Sequence, residues 1–422
     1  MSCIQATGAL AEPTASYPFD YLDKACLSAT NRERGGSGAP VWEFEVDGDV
    51  DPDTLRAALT KTFACYPTSR SRMVPDGVYP KVKKLSYEPV EGFDVDSVFK
   101  VVDLEPGNEQ ALVEFRQGVW DNYLDVFEGT PVALTLVRRA PGRAHLFFQQ
   151  HHSVADGRAF IGWLTDLTAF LAEPSRPVAI VPRVGEAEIL KLSGFKKAWW
   201  RLLGTLHVAG AIIGGLFRPI KPMLHNQSND FSGFNRVTCV RFDDQVIPSW
   251  KAAAKAEQVS LNSLLTATLM TTMSKWSADH GVPPGKTNCI IASETRPRDG
   301  SVVSFANHLT GFLVTFRMDH PHEIGALARR IHAAVKKQAK KSLHIKKLLA
   351  ERGVVLGMSM HKMLKLVWES RQPAINISFS NLIPLEFPTV EGPGWTAKRL
   401  RICTPGLPWG GVGPTVVRYG GE

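Results

Sequence analysis

The sequence predicts an α/β protein in which helices and strands are mixed in two layers and arranged as two halves. Three observations lead to this prediction. At 422 residues the chain is longer than one typical hydrophobic core supports. Patterns typical of helices and of strands alternate along both halves, which favours mixed layers over a helical bundle or a β-sandwich. A hydrophobic content of 44% and a charged content of 21% are ordinary for a soluble globular protein.

The first half begins with an alternating strand and a capped helix. Residues 42–46 alternate between apolar and polar side chains, as a half-buried strand does. Asp51 is predicted as the N-cap of the next helix and Pro52 as its first residue, because both residue types favour these positions. The apolar stripe of this helix comprises Leu55, Ala58, Leu59, Thr62 and Phe63.

Residues 149–157, QQHHSVADG, are the most informative segment of the chain. They follow a predicted hairpin of strands 131–140 and 145–150, and they precede apolar residues at helical spacing. Neighbouring side chains of a strand point to opposite faces, so one of His151 and His152 faces inward and the other can face a cavity. Asp156 lies near the N-terminus of the predicted helix, where a carboxylate is favoured. Gly157 is expected to have a backbone conformation that other residues avoid.

A linker and a long apolar segment separate the two halves. Residues 173–185 are rich in proline and polar residues, which predicts a linker. Residues 198–217 carry one formal charge, Arg201, and are flanked by lysine and arginine. This segment would just span a bilayer, but its paired tryptophans and basic border also suit a helix that lies in the membrane interface. A helix packed between the two halves is the third interpretation.

The second half is predicted to contain further strands and helices. Strands are expected at 237–242, 288–293, 311–316 and 374–380, and helices at 261–276, capped by Ser260, and at 322–351. The expected boundaries are 1–175 for the first half, 176–228 for the linker with the apolar segment, and 229–422 for the second half.

Charge and cysteine content limit the classes of partner and compartment. A formal charge of +8 and a pI near 9.1 favour an anionic partner, such as a phosphate-bearing cofactor, an acidic protein or a membrane surface. Nucleic acid is disfavoured because no signature of a known nucleic-acid-binding fold accompanies the charge. The six cysteines lie far apart without CxxC spacing, and the first residues lack the pattern of a secretory signal. We therefore expect a cytosolic protein, with peripheral membrane contact as an alternative.

The motif HHxxxDG within residues 150–157 resembles that of the CoA- and carrier-dependent acyltransferases. This superfamily includes chloramphenicol acetyltransferase, peptide-synthetase condensation domains, alcohol and polyketide-associated acyltransferases, and bacterial wax ester synthase/diacylglycerol acyltransferases. Weaker similarities follow the order of the family at 40–43, 260–265, 292–296, 307–311 and 378–382. The resemblance implies two chloramphenicol acetyltransferase-like subdomains with a tunnel between them, in which two substrates meet.

Two departures from the family pattern concern particular branches. The DFGWG segment of the plant branch is missing, and Trp409-Gly410-Gly411 is not a convincing substitute for it. The ND pair of the wax ester synthase branch is Asn262-Ser263 in this chain. Residues 413–422 resemble the start of a terminal hairpin whose second strand would normally follow.

The resemblance also implies roles for individual residues. A histidine can accept a proton from an attacking alcohol or amine near neutral pH and return it to a leaving thiolate. His152 is the expected general base, His151 supports it, and Asp156 and Gly157 set the loop. The resemblance implies that Asp156 pairs with an arginine of the second half, for which Arg296 is the best positional match and Arg298 the second.

The expected reaction is transfer of an acyl group, other than an aminoacyl group, from a thioester to a small-molecule alcohol or amine. Acyl-CoA, or phosphopantetheine on an acyl carrier protein, is the expected co-substrate, and no permanently bound cofactor or metal is expected. No cysteine lies in a motif for a covalent acyl-enzyme, so none is expected. A donor to the tetrahedral oxyanion is needed. Ser380 and Asn381 are candidates for it.

Other interpretations remain open from the sequence. The two histidines could be buried structural residues, or could bind a metal together with Asp156, and Arg296 could be an ordinary surface residue. The basic residues between 329 and 347 could contact cofactor phosphates or an acidic carrier, or form a solvated helix face. The whole chain could be a condensation-like module that binds a carrier protein without turnover, or a membrane-associated wax ester or triacylglycerol-type synthase.

Overall fold

The computed structural model describes residues 16–28, 30, 38–217, 238–282, 285–297, 302–318, 322–369, 375–404 and 410–420. The strands within these residues are β1 Tyr17–Pro18, β2 Val41–Gly48, β3 Ser71–Pro75, β4 Leu85–Pro89, β5 Phe99–Asp103, β6 Val132–Ala140, β7 Arg143–Gln150, β8 Lys286–Glu294, β9 Leu309–Arg317, β10 Ile375–Asn381, β11 Glu391–Gly392, β12 Trp395–Cys403, β13 Gly410–Val412 and β14 Thr415–Val416. The helices are α1 Tyr21–Ser28, α2 Pro52–Cys65, α3 Glu109–Asp121, α4 Gly157–Ala172, α5 Glu186–Leu190, α6 Gly194–Phe217, α7 Val246–Ala256, α8 Leu261–Asp279, α9 Ile324–Lys340, α10 Leu343–Gly357 and α11 Met360–Glu369.

Two larger sheets organise the described part of the chain. One has the strand order β11-β12-β2-β7-β6-β5, and the other has the order β13-β10-β8-β9 with β14 also paired to β10. A small third sheet has the order β1-β4-β3. Helices pack on both larger sheets, which confirms the predicted α/β class.

The first core forms between the six-stranded sheet and helices α2 and α4. Asp51 caps α2 by accepting from the backbone N–H groups of Asp53 and Thr54, as predicted. The predicted apolar stripe of α2 is buried in this core, and so is that of α4. In α4 the rings of Phe160 and Trp163 stack, with centroids 5.5 Å apart and an interplanar angle of 9°. The core therefore fixes the start of α4, where residue 157 begins the helix.

The predicted hairpin that precedes the motif is confirmed. β6 and β7 pair antiparallel from Val132 opposite Gln150 to Ala140 opposite Arg143. Gly142 in the turn has φ +72, a backbone angle that favours glycine. The hairpin delivers the histidine pair to the end of a central, buried strand.

The second core lies between β8–β10 and the helices α8 and α9. These elements confirm the predicted helix at 261–276 and the strands at 288–293 and 311–316. The strand expected at 374–380 is found from 375, because residue 374 lies outside the described residues. The helix expected at 322–351 is instead two helices, since Ser342 between α9 and α10 has a left-handed φ of +51.

One predicted strand is wrong. Residues 238–242, the described part of the strand expected at 237–242, form no strand and are exposed. Phe242 packs edge-on against Trp250 of α7 at 5.2 Å between ring centroids. The alternating pattern therefore serves a local contact with a helix rather than sheet pairing.

The six-stranded sheet takes two strands from the C-terminal part of the chain. β12 pairs antiparallel with β2, from Trp395 opposite Gly48 to Cys403 opposite Val41, and β11 pairs with β12. Charged pairs support this seam, because Arg401 lies 2.9 Å from Glu43 and Arg399 lies 3.1 Å from Glu45. The expected boundary near residue 229 lies outside the described residues, so the domain limits stay a prediction.

The predicted linker and the apolar segment both pack on the protein. Residues 173–185 contain no helix or strand, but Val181 donates its backbone N–H to the carbonyl of Cys65 at 2.8 Å. The apolar segment belongs to α6, one face of which packs on α10. Among the described residues, no helix has the length and apolar character needed to cross a bilayer.

Candidate active site

The HHxxxDG loop connects the end of β7 to the start of α4, and its two histidines differ in environment. His151 is fully buried and His152 is partly exposed, as strand alternation predicted for the pair. The ring Nδ1 of His151 accepts from the backbone N–H of Ser153 at 3.2 Å, so its proton lies on Nε2. That Nε2 lies 3.0 Å from Oγ1 of Thr30 and can donate to it.

Burial keeps the His151 ring neutral. Burial, with a smaller contribution from the neighbouring His152, lowers the pKa of His151 to about 3. A ring that is neutral and bonded at both nitrogens is suited to holding the loop rather than to exchanging protons with a substrate.

His152 is held through its main chain, and the residue is partly exposed. Its backbone N–H donates to the carbonyl of Gly38 at 2.9 Å, and its carbonyl accepts from Nδ2 of Asn307 at 2.7 Å. The ring Nδ1 lies 3.8 Å from Sγ of Cys26 in α1. The second ring nitrogen, Nε2, is therefore the one left to meet a substrate.

Gly38 is a site residue that the sequence interpretation missed. Its φ is +63, and a Cβ on it would lie 2.0 Å from Oγ1 of Thr30 and 2.9 Å from Nε2 of His151. The position therefore requires glycine both for its backbone angle and for the close approach of the Thr30–His151 bond. The signal in the sequence is the glycine-rich run at 35–38, just before the first predicted strand.

Asp156 joins the loop to the second half of the chain. It caps α4 by accepting from the N–H of Ala159 at 3.0 Å, and it also accepts from the N–H of His308 at 2.8 Å. Nη1 of Arg296 lies 2.8 Å from Oδ2 of Asp156, and both side chains are 2% exposed. Arg298, the second expected partner, lies outside the described residues.

The charge of Asp156 is stabilised by these contacts. Burial alone raises the pKa of this carboxyl, but the Arg296 guanidinium and the backbone donors outweigh burial and hold the pKa below its ordinary value. Arg296 also donates to the carbonyl of Ala306 at 2.9 Å, so the guanidinium is bonded on two sides. The arginine is buried, unlike the surface residue that was the alternative interpretation.

The expectation for the backbone of Gly157 is wrong. Its φ does not lie in the positive region, because it is simply the first residue of α4. A Cβ at this position would lie 3.8 Å from Trp42 and 3.9 Å from Leu382, which is ordinary van der Waals contact. Neither geometry nor space therefore requires glycine at residue 157.

Asn307 is a second residue that the sequence did not single out. Its side-chain Nδ2 donates to the carbonyls of His152 at 2.7 Å and Ser153 at 2.9 Å, and it lies 3.3 Å from Oδ1 of Asp23. One amide from the second half thus fixes the main chain of the loop directly at the partly exposed histidine. The available signal was the NHLTG segment at 307–311, which follows the family order.

His308, the residue after Asn307, lies in the same buried region. Its ring is fully buried, and neither ring nitrogen has a hydrogen-bond partner among the described residues. Burial lowers the pKa of His308 to about 4, and the positive charge of Arg296 adds to the decrease. The ring is therefore neutral at physiological pH.

An arginine of the predicted linker supports the loop from another side. Nη2 of Arg183 lies 2.5 Å from Oδ2 of Asp23, and its guanidinium lies 4.7 Å from the centroid of the Tyr87 ring. Arg183 also donates to the carbonyls of Val154 at 3.0 Å and Phe305 at 3.2 Å. The linker is thus part of the site's framework.

The structure does not bring the two oxyanion candidates into contact with the histidine loop. Asn381 donates its side-chain amide to Oδ1 of Asn262 and accepts from the N–H of Ile383 at 3.0 Å. The backbone N–H of Ser380 donates to the carbonyl of Pro414 at 3.1 Å. The side-chain amide of Asn381 and the backbone N–H of Ser380 therefore already donate to acceptors within the second half.

The site residues also bear on metal binding and on covalent chemistry. Within the part of the chain that the structure describes, no cluster of three or more His, Cys, Asp or Glu side chains could hold a metal ion. Burial raises the pKa of the Cys26 thiol to about 12, and the charges of Asp23 and Asp156 add to the increase. A neutral thiol is a poor nucleophile, so this cysteine is poorly suited to forming an acyl-enzyme.

Comparisons with known proteins show the fold. No protein-family model matches the chain, and no curated protein matches it significantly. The first condensation domain of the CDA synthetase is similar with a TM-score of 0.66 at 14% identity, over 94% of this chain and 91% of that one. Polyketide synthase associated protein 5 from Mycobacterium tuberculosis is similar with a TM-score of 0.62 at 14% identity, over 96% and 92%.

A third similar structure is the EpoB NRPS cyclization-docking bidomain from Sorangium cellulosum, with a TM-score of 0.66 at 14% identity, over 100% of this chain and 80% of that one. These likenesses span nearly all of the chain. The chain therefore has the chloramphenicol acetyltransferase-like fold of condensation domains.

Proposed function

We propose that this protein transfers an acyl group from a thioester to an alcohol or amine, with His152 as the general base. The observation that supports this proposal most is the contrast within the HHxxxDG loop. Only the second histidine is partly exposed, while His151 and Asp156 are buried and bonded. The fold shared with condensation domains gives independent support.

The proposed reaction needs one residue that first accepts a proton as a general base and then donates it as a general acid. The hydroxyl or amine of the acceptor attacks the thioester carbonyl as Nε2 of His152 takes its proton. The tetrahedral oxyanion then collapses, the C–S bond breaks, and the leaving thiolate receives that proton from the imidazolium. Sγ of Cys26, at 3.8 Å from Nδ1, can accept a weak hydrogen bond from Nδ1–H, and in that tautomer Nε2 carries the lone pair that acts as the base.

The remaining residues are proposed to position the base. Asn307 and Gly38 hold the main chain of His152, and the pair of Asp156 with Arg296 ties the loop to the second half. Because no acyl-enzyme is proposed, donor and acceptor must be bound together, as in the tunnel that the resemblance implies. The oxyanion donor stays unassigned, with Ser380 and Asn381 as proposals from sequence only.

For the donor we propose a phosphopantetheine thioester on a carrier protein, with acyl-CoA as the second candidate. Similar structures come from synthetases, including a condensation domain in complex with a substrate analogue and one from the Monacolin K polyketide synthase. The net charge of +8 suits an acidic carrier or a phosphate-bearing donor. We propose that the acyl group is not aminoacyl, that the acceptor is a small molecule, and that the protein is cytosolic, with peripheral membrane contact as the alternative.

The decisive experiment combines a substrate screen with a matched histidine variant. Purified protein is incubated with acyl-CoAs of increasing length, or acyl carrier proteins, and with alcohols and amines, and products are identified by mass spectrometry. His152→Ala is expected to lower the transfer rate by about 10²–10⁴-fold. His361→Ala is the control, since this exposed histidine lies outside the site.

Equal transfer rates for His152→Ala and the unaltered protein would show that His152 is not the general base. Binding of carrier protein without turnover across the panel would support the carrier-binding alternative instead. Ester formation only from long-chain acyl-CoA and a fatty alcohol or diacylglycerol would assign a wax ester or triacylglycerol-type synthase.

A further inference from the structure

Four large apolar side chains form a line along the exposed side of α6. Their exposed fractions are 85% for Phe195, 51% for Trp199, 49% for Leu202 and 61% for Leu206. Steps of four, three and four residues place them on a single helix face, because a helix turns by about 100° per residue. We call these four residues the apolar stripe.

The apolar stripe points away from the rest of the protein. Gly204 lies on the opposite face of α6 and is buried, and a Cβ on it would lie 1.9 Å from the carbonyl oxygen of Lys346 in α10. The helix is therefore pressed against α10 along its glycine side. This close packing fixes the stripe outward, so its exposure follows from the fold and not from a loose helix.

The sequence from α6 to residue 229, and that of α9 and the first half of α10, lacks acidic residues. No aspartate or glutamate occurs in residues 189–229 or in residues 324–350. The same two segments contain many cations: Lys191, Lys196, Lys197, Arg201, Arg218, Lys221, Arg329, Arg330, Lys336, Lys337, Lys340, Lys341, Lys346 and Lys347. Arg329 pairs with Glu257 and Glu323, and Lys347 pairs with Glu351, while the two segments keep a net positive charge.

The two basic segments meet at Trp200. The Nζ atoms of Lys196 and Lys346 lie 5.0 and 5.2 Å from the centroid of the Trp200 ring. Nζ of Lys346 also donates to the carbonyl of Lys341 at 2.8 Å, which places the end of α9 at the same site. Lys196 of α6 and the end of α9 therefore meet at Trp200, on the side of α6 that faces α10, and Lys196 flanks the apolar stripe.

We infer that α6 lies on an anionic membrane surface, with the apolar stripe at the boundary between headgroups and acyl chains. Aromatic and leucine side chains on the outer face, with lysines beside them, are typical of interfacial helices. The lysines would be attracted to anionic headgroups across the adjacent basic surface. This inference does not depend on the proposed acyl transfer.

Other occupants of this surface are less well matched. An acidic carrier protein would complement the lysines, but charge alone leaves four exposed apolar side chains without a role. A second copy of the chain would bring two basic surfaces together, and like charges oppose association. An anionic bilayer satisfies both the apolar and the charged part of the surface.

The first test measures binding of the full-length protein to vesicles by flotation. We expect binding to vesicles of phosphatidylcholine with about 30 mol% phosphatidylglycerol, and at least about tenfold weaker binding to pure phosphatidylcholine. Raising the salt concentration to about 0.5 M is expected to release the protein, because salt screens the lysine–headgroup attraction. No binding of the unaltered protein to either vesicle, or equal binding to both, would overturn the inference.

The second test uses variants of the surface. Phe195→Ser/Leu206→Ser is expected to weaken vesicle binding by at least about tenfold. Val78→Ser/Val113→Ser is the matched control, since both valines are exposed, at 78% and 51%, but lie in the first half. Equal binding by the stripe variant and the control would contradict the role of the stripe.

Two further measurements keep the outcome decisive. Circular dichroism melting checks that each variant is folded. If the stripe variant unfolds, the test of membrane binding uses Lys340→Gln/Lys341→Gln instead. This variant is expected to bind vesicles several-fold more weakly than the unaltered protein. Sedimentation in the absence of lipid measures self-association. Dimers that the stripe variant abolishes, or retention only on an acidic carrier protein, would assign the surface to those partners and refute a membrane contact.

Discussion

Asp156 and Arg296 are 140 residues apart in the chain and form a buried ion pair, with 2.8 Å between Oδ2 and Nη1. Removing one partner leaves the other charge buried without compensation. We expect Asp156→Ala and Arg296→Met each to lower the free energy of unfolding by about 3–5 kcal/mol, as measured by urea denaturation.

The double variant separates the ion pair from the effects of each side chain. The double variant is expected to lose less free energy of unfolding than the two single variants lose together, since neither charge is then buried without a partner. Arg138→Met is the control, because its pair with Asp103 is exposed and should contribute no more than about 1 kcal/mol. Additive losses would show that the two residues act independently.

Gly38 and Gly157 are predicted to differ sharply when each is replaced by alanine. Gly38→Ala forces a Cβ to within 2.0 Å of Thr30 and places alanine at φ +63, so we expect lower stability and a large loss of transfer activity. Gly157→Ala meets only ordinary contacts, at 3.8 and 3.9 Å, and is expected to fold with little change in melting temperature. The reverse order of melting temperatures would contradict this geometry.

Cys26 offers a chemical probe of the proposed site. Because burial raises the pKa of its thiol to about 12, iodoacetamide should modify Cys26 at least about tenfold more slowly than the exposed Cys239 at pH 8, by peptide mass spectrometry. Modification adds bulk 3.8 Å from the His152 ring, so activity should fall in step with it. If the activity of a Cys26→Ala variant falls equally with the reagent, another cysteine is responsible.

The buried neutral histidines predict a pH dependence of stability. The pKa values of His151 and His308 are about 3 and about 4, whereas an unfolded histidine titrates near 6.5. As the pH falls below about 6.5 the unfolded chain takes up protons that the folded rings refuse, so the free energy of unfolding decreases. The loss continues until the folded rings also protonate, near pH 4 and below.

Urea denaturation at pH 7.5 and pH 5 measures this effect, which we expect to reach about 1–2 kcal/mol per ring. Carboxylates with lowered pKa values, such as Asp156, lose their contribution only below their ordinary range, whereas the raised pKa of Asp23 acts in the opposite direction, so a histidine variant is needed to isolate one ring. His308→Leu should show a smaller difference between the two pH values. An unchanged difference would mean that the ring does not contribute.

Local sequence patterns predicted much of the framework around the site. The hairpin, the Asp51 cap and the apolar faces of α2 and α4 follow from side-chain periodicity and capping, which act over a few residues. The burial difference between His151 and His152 agrees with the expectation from strand alternation, although both residues lie just beyond the end of β7. These features needed no knowledge of the remainder of the chain.

The parts that were missed depend on contacts between distant residues. Asn307 contacts His152 from 155 positions away, and Arg183 contacts Asp23 from 160 positions away, so no local pattern marks either pair. Gly38 is constrained by two side chains that converge only in the folded protein. The backbone expectation for Gly157 failed because a motif glycine was given a conformational role that an ordinary helix start does not need.

The seam between β12 and β2 means that the chain crosses from one half to the other and back. β10 belongs to the second sheet, β12 completes the first, and β13 and β14 return to β10. A protease that cuts between the halves would therefore leave two fragments that stay associated through the pairing of β12 with β2. Residues 1–228 made alone would expose the unpaired edge of β2, and such an open edge invites aggregation.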